Sequence, residues 1–157
     1  MKQYRILFVC LGNICRSPAG DNVMRDLLQR KEVNGVFIDS AGTAGYHIGK
    51  KPDARMSKEL ESRGIKVTGA ARQFSKKDFE EFDLIIPMDN ANEKDILSLA
   101  RNSEDKSKVK PFMSFCSQFT NPEVPDPYYG GEEGFQLVTD LMVDGCSGIL
   151  DSVLKEM

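Results

Sequence analysis

The stretch that most constrains this chain runs Ile6-Leu7-Phe8-Val9-Cys10-Leu11-Gly12-Asn13-Ile14-Cys15-Arg16-Ser17-Pro18. It opens on a continuous apolar run, the pattern of a central parallel strand covered on both faces. It closes on Pro18, a residue suited to the first turn of a helix. Between the two lies a short loop with one glycine. A strand, a tight loop and a helix in that order aim backbone N–H groups and the positive end of a helix dipole at one spot, which then holds an anion. Cys10 stands at its entrance and Arg16 at its exit, a Cys-x5-Arg spacing followed directly by Ser17. Positive potential favours the thiolate form of a cysteine, which is the nucleophile. A guanidinium offers paired donors that match two phosphate oxygens. Together they describe attack by sulfur on phosphorus. A cysteine that merely ended a strand would leave Gly12, Asn13, Arg16 and Ser17 without a joint explanation. A Walker-type nucleotide loop needs a second glycine and a lysine that are not there.

The rest of the chain alternates strand and helix patterns, as in a doubly wound sheet. Arg5 to Val9 is the first strand. Pro18 to about Lys31 reads as a helix with Val23, Leu27 and Leu28 inward, and Gly20 is expected to weaken it. Val36 to Ser40 is a second strand, followed by a small-residue loop from Ala41 to Gly49. Helical spacing resumes after Pro52 and stops at Gly64. Ser75-Lys76-Lys77-Asp78 reads as a capping box ahead of a short helix, Lys76 to Phe82. Leu84 to Met88 is a third strand, and Asp89-Asn90 caps a helix running to about Arg101. Asn102 to Lys108 reads as a polar surface link. Val109 to Phe112 reads as a short fourth strand, placed near an edge by Pro111. Ser117 to Gly131 is a long aperiodic loop with three prolines before Tyr128, a kind of segment that is usually functional. Glu133 to Lys155 is a helix with an apolar stripe, weakened by Gly145 and Gly148. The expected fold is α/β: a single three-layer domain over residues 1–157, with a central parallel four-stranded sheet, helices on both faces and a phosphate-binding loop after the first strand.

Composition removes several function classes. The 157 residues suit one domain with a real core. A net charge of −3, from 21 basic and 24 acidic residues, argues against a nucleic-acid binder. The apolar run near the N-terminus is too short for a signal core or a membrane span, so a soluble, cytoplasmic protein is expected. Cys10, Cys15, Cys116 and Cys146 show no CxxC pairing, and His47 is the single histidine. No metal site and no cofactor are implied.

The run CLGNICRSP resembles the signature of the low-molecular-weight protein tyrosine phosphatases. Asp126-Pro127-Tyr128-Tyr129-Gly130 resembles that family's general-acid loop. The motifs stand near opposite ends in the family's order, so the resemblance covers essentially the whole chain. It implies hydrolysis of phosphotyrosine through a cysteinyl-phosphate, with phosphotyrosine-containing proteins as partners and a monomeric state. Cys10 would be the nucleophile, Arg16 the holder of two equatorial oxygens and Asp126 the general acid. Backbone N–H groups of Leu11, Gly12, Asn13, Ile14, Cys15 and Ser17 would bind the remaining oxygens. Ser17 would also hydrogen-bond the sulfur, while Asn13 and Ser40 hold the loop in shape. Tyr46, where the family commonly has tryptophan, and Tyr128 would flank the phenyl ring, with His47 a bystander at the rim. Arg72 and Asp89 match positions in a supporting polar network. The family usually has alanine and glutamate near Gly20 and Asp21, a difference expected to touch helix stability and not chemistry. Cys15 lies close to Cys10, so peroxide is expected to join them reversibly. Tyr128 and Tyr129 are candidate phosphorylation sites.

Three rivals remain. Arsenate reduction on the same fold needs two further cysteines close in sequence, but none lies between Arg16 and Lys110, and Cys116 and Cys146 are far apart. Related arginine phosphatases carry threonine where this chain has Ile14, whose apolar wall suits an aromatic ring instead. A silent phosphopeptide-binding module would be expected to have lost Cys10, Arg16 or Asp126, and all three are present.

Overall fold

A computed structural model describes residues 3–157. The first strand, β1 (Tyr4–Cys10), lies between β2 (Val36–Gly42) and β3 (Leu84–Pro87), and both pairings are parallel. A central strand has both faces covered, and Ile6 to Val9 are fully buried. Its side chains alternate between two cores. Ile6, Phe8 and Cys10 join a cluster with α1 (Arg16–Arg30) and α6 (Glu132–Glu156), while Leu7 and Val9 join one with Phe79 and Ile96. Phe79 belongs to α3 (Asp78–Glu81) and Ile96 to α4 (Asn90–Ser98), so helices cover both sides of the sheet as expected. α2 (Ala54–Ser62) packs beside α6.

Among the described residues the sheet has three strands, not the expected four. The segment read as a fourth strand contributes a single bridge, Val109 beside Ile85, closed by two backbone hydrogen bonds of 2.9 and 3.0 Å. Pairing stops there because Pro111 has no N–H to donate. Phe112–Phe115 then coils into a 3-10 turn. The polar link expected over 102–108 contains a short helix, α5 (Ser103–Ser107), capped by the Asn102 side chain, which accepts from the Asp105 N–H at 2.8 Å. A one-turn helix without apolar spacing leaves no periodic signal.

Two expected weaknesses turn out to be packing seats. A β-carbon on Gly145 would lie 2.1 Å from Phe112 Cζ, and one on Gly148 would lie 2.0 Å from the Phe115 carbonyl oxygen. The glycines let the 3-10 turn press against α6, which remains continuous through them.

Candidate active site

The loop from Leu11 to Cys15 joins the C-terminal end of β1 to α1. Its shape depends on Asn13, whose φ of 58° is left-handed, a region tolerated by asparagine better than by most residues. The buried Asn13 amide makes that shape specific. It donates to Ser17 Oγ (2.7 Å) and Ser40 Oγ (2.9 Å), and it accepts from the Arg72 backbone N–H (3.0 Å). The end of β2 clasps the loop from beside, where Thr43 and Ala44 donate to the carbonyls of Cys10 and Leu11 at 2.9 Å. Gly42 permits this approach, since a β-carbon there would lie 2.7 Å from the Leu11 carbonyl oxygen.

Cys10 Sγ lies 3.0 Å from Ser17 Oγ. The serine accepts from Asn13, so its one proton goes either to sulfur or to the Ala41 carbonyl, 3.3 Å away. When sulfur carries a proton, the Ala41 bond is available; when sulfur is ionised, the serine proton turns to it. No side chain caps the start of α1, which leaves its first N–H groups available to a ligand.

Arg16 is buried and held from two sides. Nη1 donates to Asp89 Oδ2 at 2.6 Å and to the Val124 carbonyl at 3.1 Å. Burial opposes the Arg16 charge, but Cys10, Asp89 and Asp126 outweigh it and hold the proton more firmly than usual. Asp89 serves twice, because its other oxygen accepts from Asn92 N at 2.7 Å and caps α4. Asp126, from the long loop, places Oδ2 3.7 Å from Arg16 Nη2. Its other oxygen accepts from the Tyr128 N–H at 3.0 Å, a local turn closed over Pro127.

These groups surround a cavity of about 110 Å³ whose floor includes Cys10 and Arg16 and whose wall includes Ile14, Cys15 and Asp126. Its mouth is a run of rings. His47 stands between Tyr46 and Tyr128, with centroids 6.3 and 6.4 Å away, and Tyr129 lies 5.0 Å beyond Tyr128. A small cavity with an aromatic collar suits a phosphate carried on a flat, apolar group.

Residues 5–157 match the family model for low molecular weight phosphotyrosine protein phosphatase. The chain belongs to that family. A Synechocystis protein provisionally named a low molecular weight protein-tyrosine-phosphatase is 47% identical over 154 residues, spanning 98% of each chain. The crystal structure of a protein tyrosine phosphatase from Entamoeba histolytica, with Hepes in the active site, superposes with a TM-score of 0.95 at 41% identity, covering 98% of this chain and 99% of that one. A Drosophila arginine phosphatase shares the fold at 30% identity and a TM-score of 0.85, covering 98% of both chains.

Of the residues named from this phosphatase's sequence, the structure gathers Cys10, Leu11, Gly12, Ile14, Cys15, Arg16, Tyr46, Asp126 and Tyr128 around one cavity, with Asn13, Ser17, Ser40 and Asp89 directly behind it. Arg72 meets the loop through its backbone. Its guanidinium pairs with Asp39 and Asp78, and only its backbone N–H reaches the loop. His47 stands at the rim and packs on the loop, since a β-carbon on Gly12 would lie 2.9 Å from its ring. The Val124 carbonyl, Asp53 and Arg55 escaped sequence reading. A carbonyl has no residue-type signal, and an Asp-x-Arg at a helix start reads as an ordinary cap. Among the described residues, no cluster of His, Cys, Asp or Glu is arranged to hold a metal, and no helix is long and apolar enough to cross a membrane.

Proposed function

We propose that this chain hydrolyses phosphotyrosine in proteins. Cys10 Sγ attacks phosphorus and the P–O bond to the tyrosyl oxygen breaks. Asp126 gives its proton to that leaving oxygen. Water then attacks the cysteinyl-phosphate, the S–P bond breaks, and the Asp126 carboxylate takes the water proton. Arg16 and the loop N–H groups hold the phosphoryl oxygens throughout. Asp89 and the Val124 carbonyl fix the plane of the guanidinium, and Ser17 supports the sulfur as it attacks and as it leaves. Tyr46 and Tyr128 form the walls for the ring. The substrates are phosphotyrosine proteins, met by one catalytic domain that acts as a cytoplasmic monomer.

The observation that carries this reading is the convergence of Cys10, Arg16 and Asp126 on one small cavity ringed by aromatic side chains. Ile14 in the wall favours an aryl phosphate over a phosphorylated guanidinium. Cys146 is fully buried in α6 and Cys116 follows the 3-10 turn, which suits neither to relay electrons from Cys10 as arsenate reduction demands. Cys15 shares the cavity wall, where burial above all, with Asp53 and Cys10 adding, pushes its thiol well up. Its place in that wall sets it beside Cys10, but resolving a sulfenic acid there requires the Cys15 thiolate, so the raised thiol makes that step slow.

Hydrolysis of p-nitrophenyl phosphate tests the assignment. Wild type is expected to turn over without added metal, and Cys10→Ser to lose at least about a thousandfold while still binding vanadate. Equal rates for the two proteins would remove Cys10 from its role.

A further inference from the structure

Asp126 lies on a long loop, and something must keep it over the cavity. On the α2 side a continuous path of contacts leads from the anion loop to this carboxylate. The Asp53 backbone N–H donates to the Ile14 carbonyl at 2.7 Å. The Asp53 carboxylate caps α2, accepting from the N–H groups of Arg55 (2.8 Å) and Met56 (3.3 Å). It also grips the Arg55 guanidinium, through Nε at 3.2 Å and Nη2 at 3.0 Å. The guanidinium held in this way lies 5.2 Å from the centre of the Tyr128 ring and 4.8 Å from that of Phe135, in the first turn of α6. Tyr128 closes the path through its N–H bond to Asp126.

The far side of Arg55 is open. A groove of about 460 Å³ runs between α2 and the start of α6, lined by Lys58, Glu59, Gly130 and Phe135. Arg55 itself stands between Tyr128 and that groove. The neighbouring backbone is permissive, because Gly130 and Gly131 follow Tyr129 directly. A cation on a ring face is directional enough to hold an aromatic side chain against such freedom.

We propose that Arg55 is a positioning residue for the proton donor: tied to the anion loop through Asp53, it holds the Tyr128 ring and so keeps Asp126 over Cys10 and Arg16. The inference rests on the reading of Asp126 as general acid. Arg55 bonds to Asp53 and faces the Tyr128 and Phe135 rings without lining the cavity, so its effect on rate passes through the loop.

Two measurements test it. The first compares kcat/KM for phosphotyrosine, whose leaving oxygen needs a proton, with that for 2,4-dinitrophenyl phosphate, which does not. Arg55→Ala is expected to cost on the order of tenfold on phosphotyrosine and less than about threefold on the dinitrophenyl ester. Arg55→Lys, which keeps the cation, recovers part of the loss. In an Asp126→Asn background Arg55→Ala adds no further loss, because the group it positions has gone. An equal loss on both esters, or an undiminished loss in that background, overturns the proposal. Failure of the underlying reading shows separately, as an Asp126→Asn single variant without leaving-group dependence. The second measurement does not depend on Asp126. The chain has no tryptophan, so Tyr128→Trp supplies a unique fluorophore on the loop. Its steady-state anisotropy is expected to fall when Arg55→Ala is added and to return with Arg55→Lys. Unchanged anisotropy overturns the positioning role.

Discussion

A methyl group added at Gly20 would meet Phe8 Cδ1 at 2.8 Å, in the contact that seats α1 on β1. Propensity alone favours alanine there by about 1 kcal/mol. Overpacking opposes it by about 1–3 kcal/mol, because Phe8 is fully buried and has little room to turn. Gly20→Ala is therefore expected to lower unfolding free energy by up to about 2 kcal/mol, measured by urea denaturation, with KM for p-nitrophenyl phosphate little changed. A more stable variant would show that Phe8 repacks freely. Beside Gly20, Asp21 is buried and paired with Arg25. Burial pushes its carboxyl up, with Arg25 and Ser40 pulling the other way. Residue by residue, sequence reading found the groups that meet at the cavity where chemical type marks them: a thiol, a guanidinium, a carboxylic acid. It failed where function follows from what a side chain is not. Gly20, Gly145 and Gly148 looked like weak points because a sequence does not show the ring or carbonyl that fills the space.

At the scale of elements, the segment that carries Asp126 is pinned at several points. The Asp144 carboxylate on α6 accepts from the N–H groups of Ser117, Gln118 and Phe119 at 3.0 to 3.2 Å. Val124 donates its N–H to the Met88 carbonyl at 2.9 Å and offers its own carbonyl to Arg16. Pro127 lies against the first turn of α6 at Gly134. Slight burial opposes the Asp144 charge, but the three N–H donors outweigh it and hold this carboxyl below its usual range. A depressed folded value means that the stabilisation is complete above the ordinary carboxylate range near 4 and fades as pH falls through the depressed value. Asp144→Asn should thus cost about 1 kcal/mol at pH 7, with the gap to wild type narrowing below about pH 4. Urea midpoints at pH 7 and pH 3.5 check this, and a gap of constant size would mean that the charge does not anchor the loop. Aperiodicity and prolines marked this segment as a functional loop, but its anchors are backbone N–H groups and a mid-helix aspartate, which no pattern announces.

For the whole molecule, the loop after β1 joins several elements to one another. The first loop bonds to β2, α2 and the segment around Arg72, and Arg16 ties α1 to α4 and the segment that carries Asp126. A ligand that binds only the folded chain stabilises it by about 2.7 kcal/mol at a hundred times its Kd. Vanadate or phosphate at that level is expected to raise Tm by roughly 5–10 °C in wild type and Cys10→Ser, for a chain of this size. Arg16→Ala should abolish the shift. An unaltered shift in Arg16→Ala would place the anion elsewhere.

What the sequence determined by itself is the cradle, because its parts are contiguous. An apolar strand, an asparagine able to turn left-handed and a proline-led helix bias that stretch toward the loop, which Ser40 and the Arg72 N–H then fix in shape, and the same alternation of patterns dictated helices on both faces. Tertiary structure decided the rest. It reduced the fourth strand to one bridge where Pro111 ends the ladder, paired the Arg72 guanidinium with Asp39 and Asp78 so that its N–H serves the loop, and brought Asp89, Arg55 and Asp126 to Arg16 and Tyr128. Those contacts join residues dozens of positions apart, and their geometry depends on how two cores pack against one sheet, a property of the assembled layers that no local stretch contains.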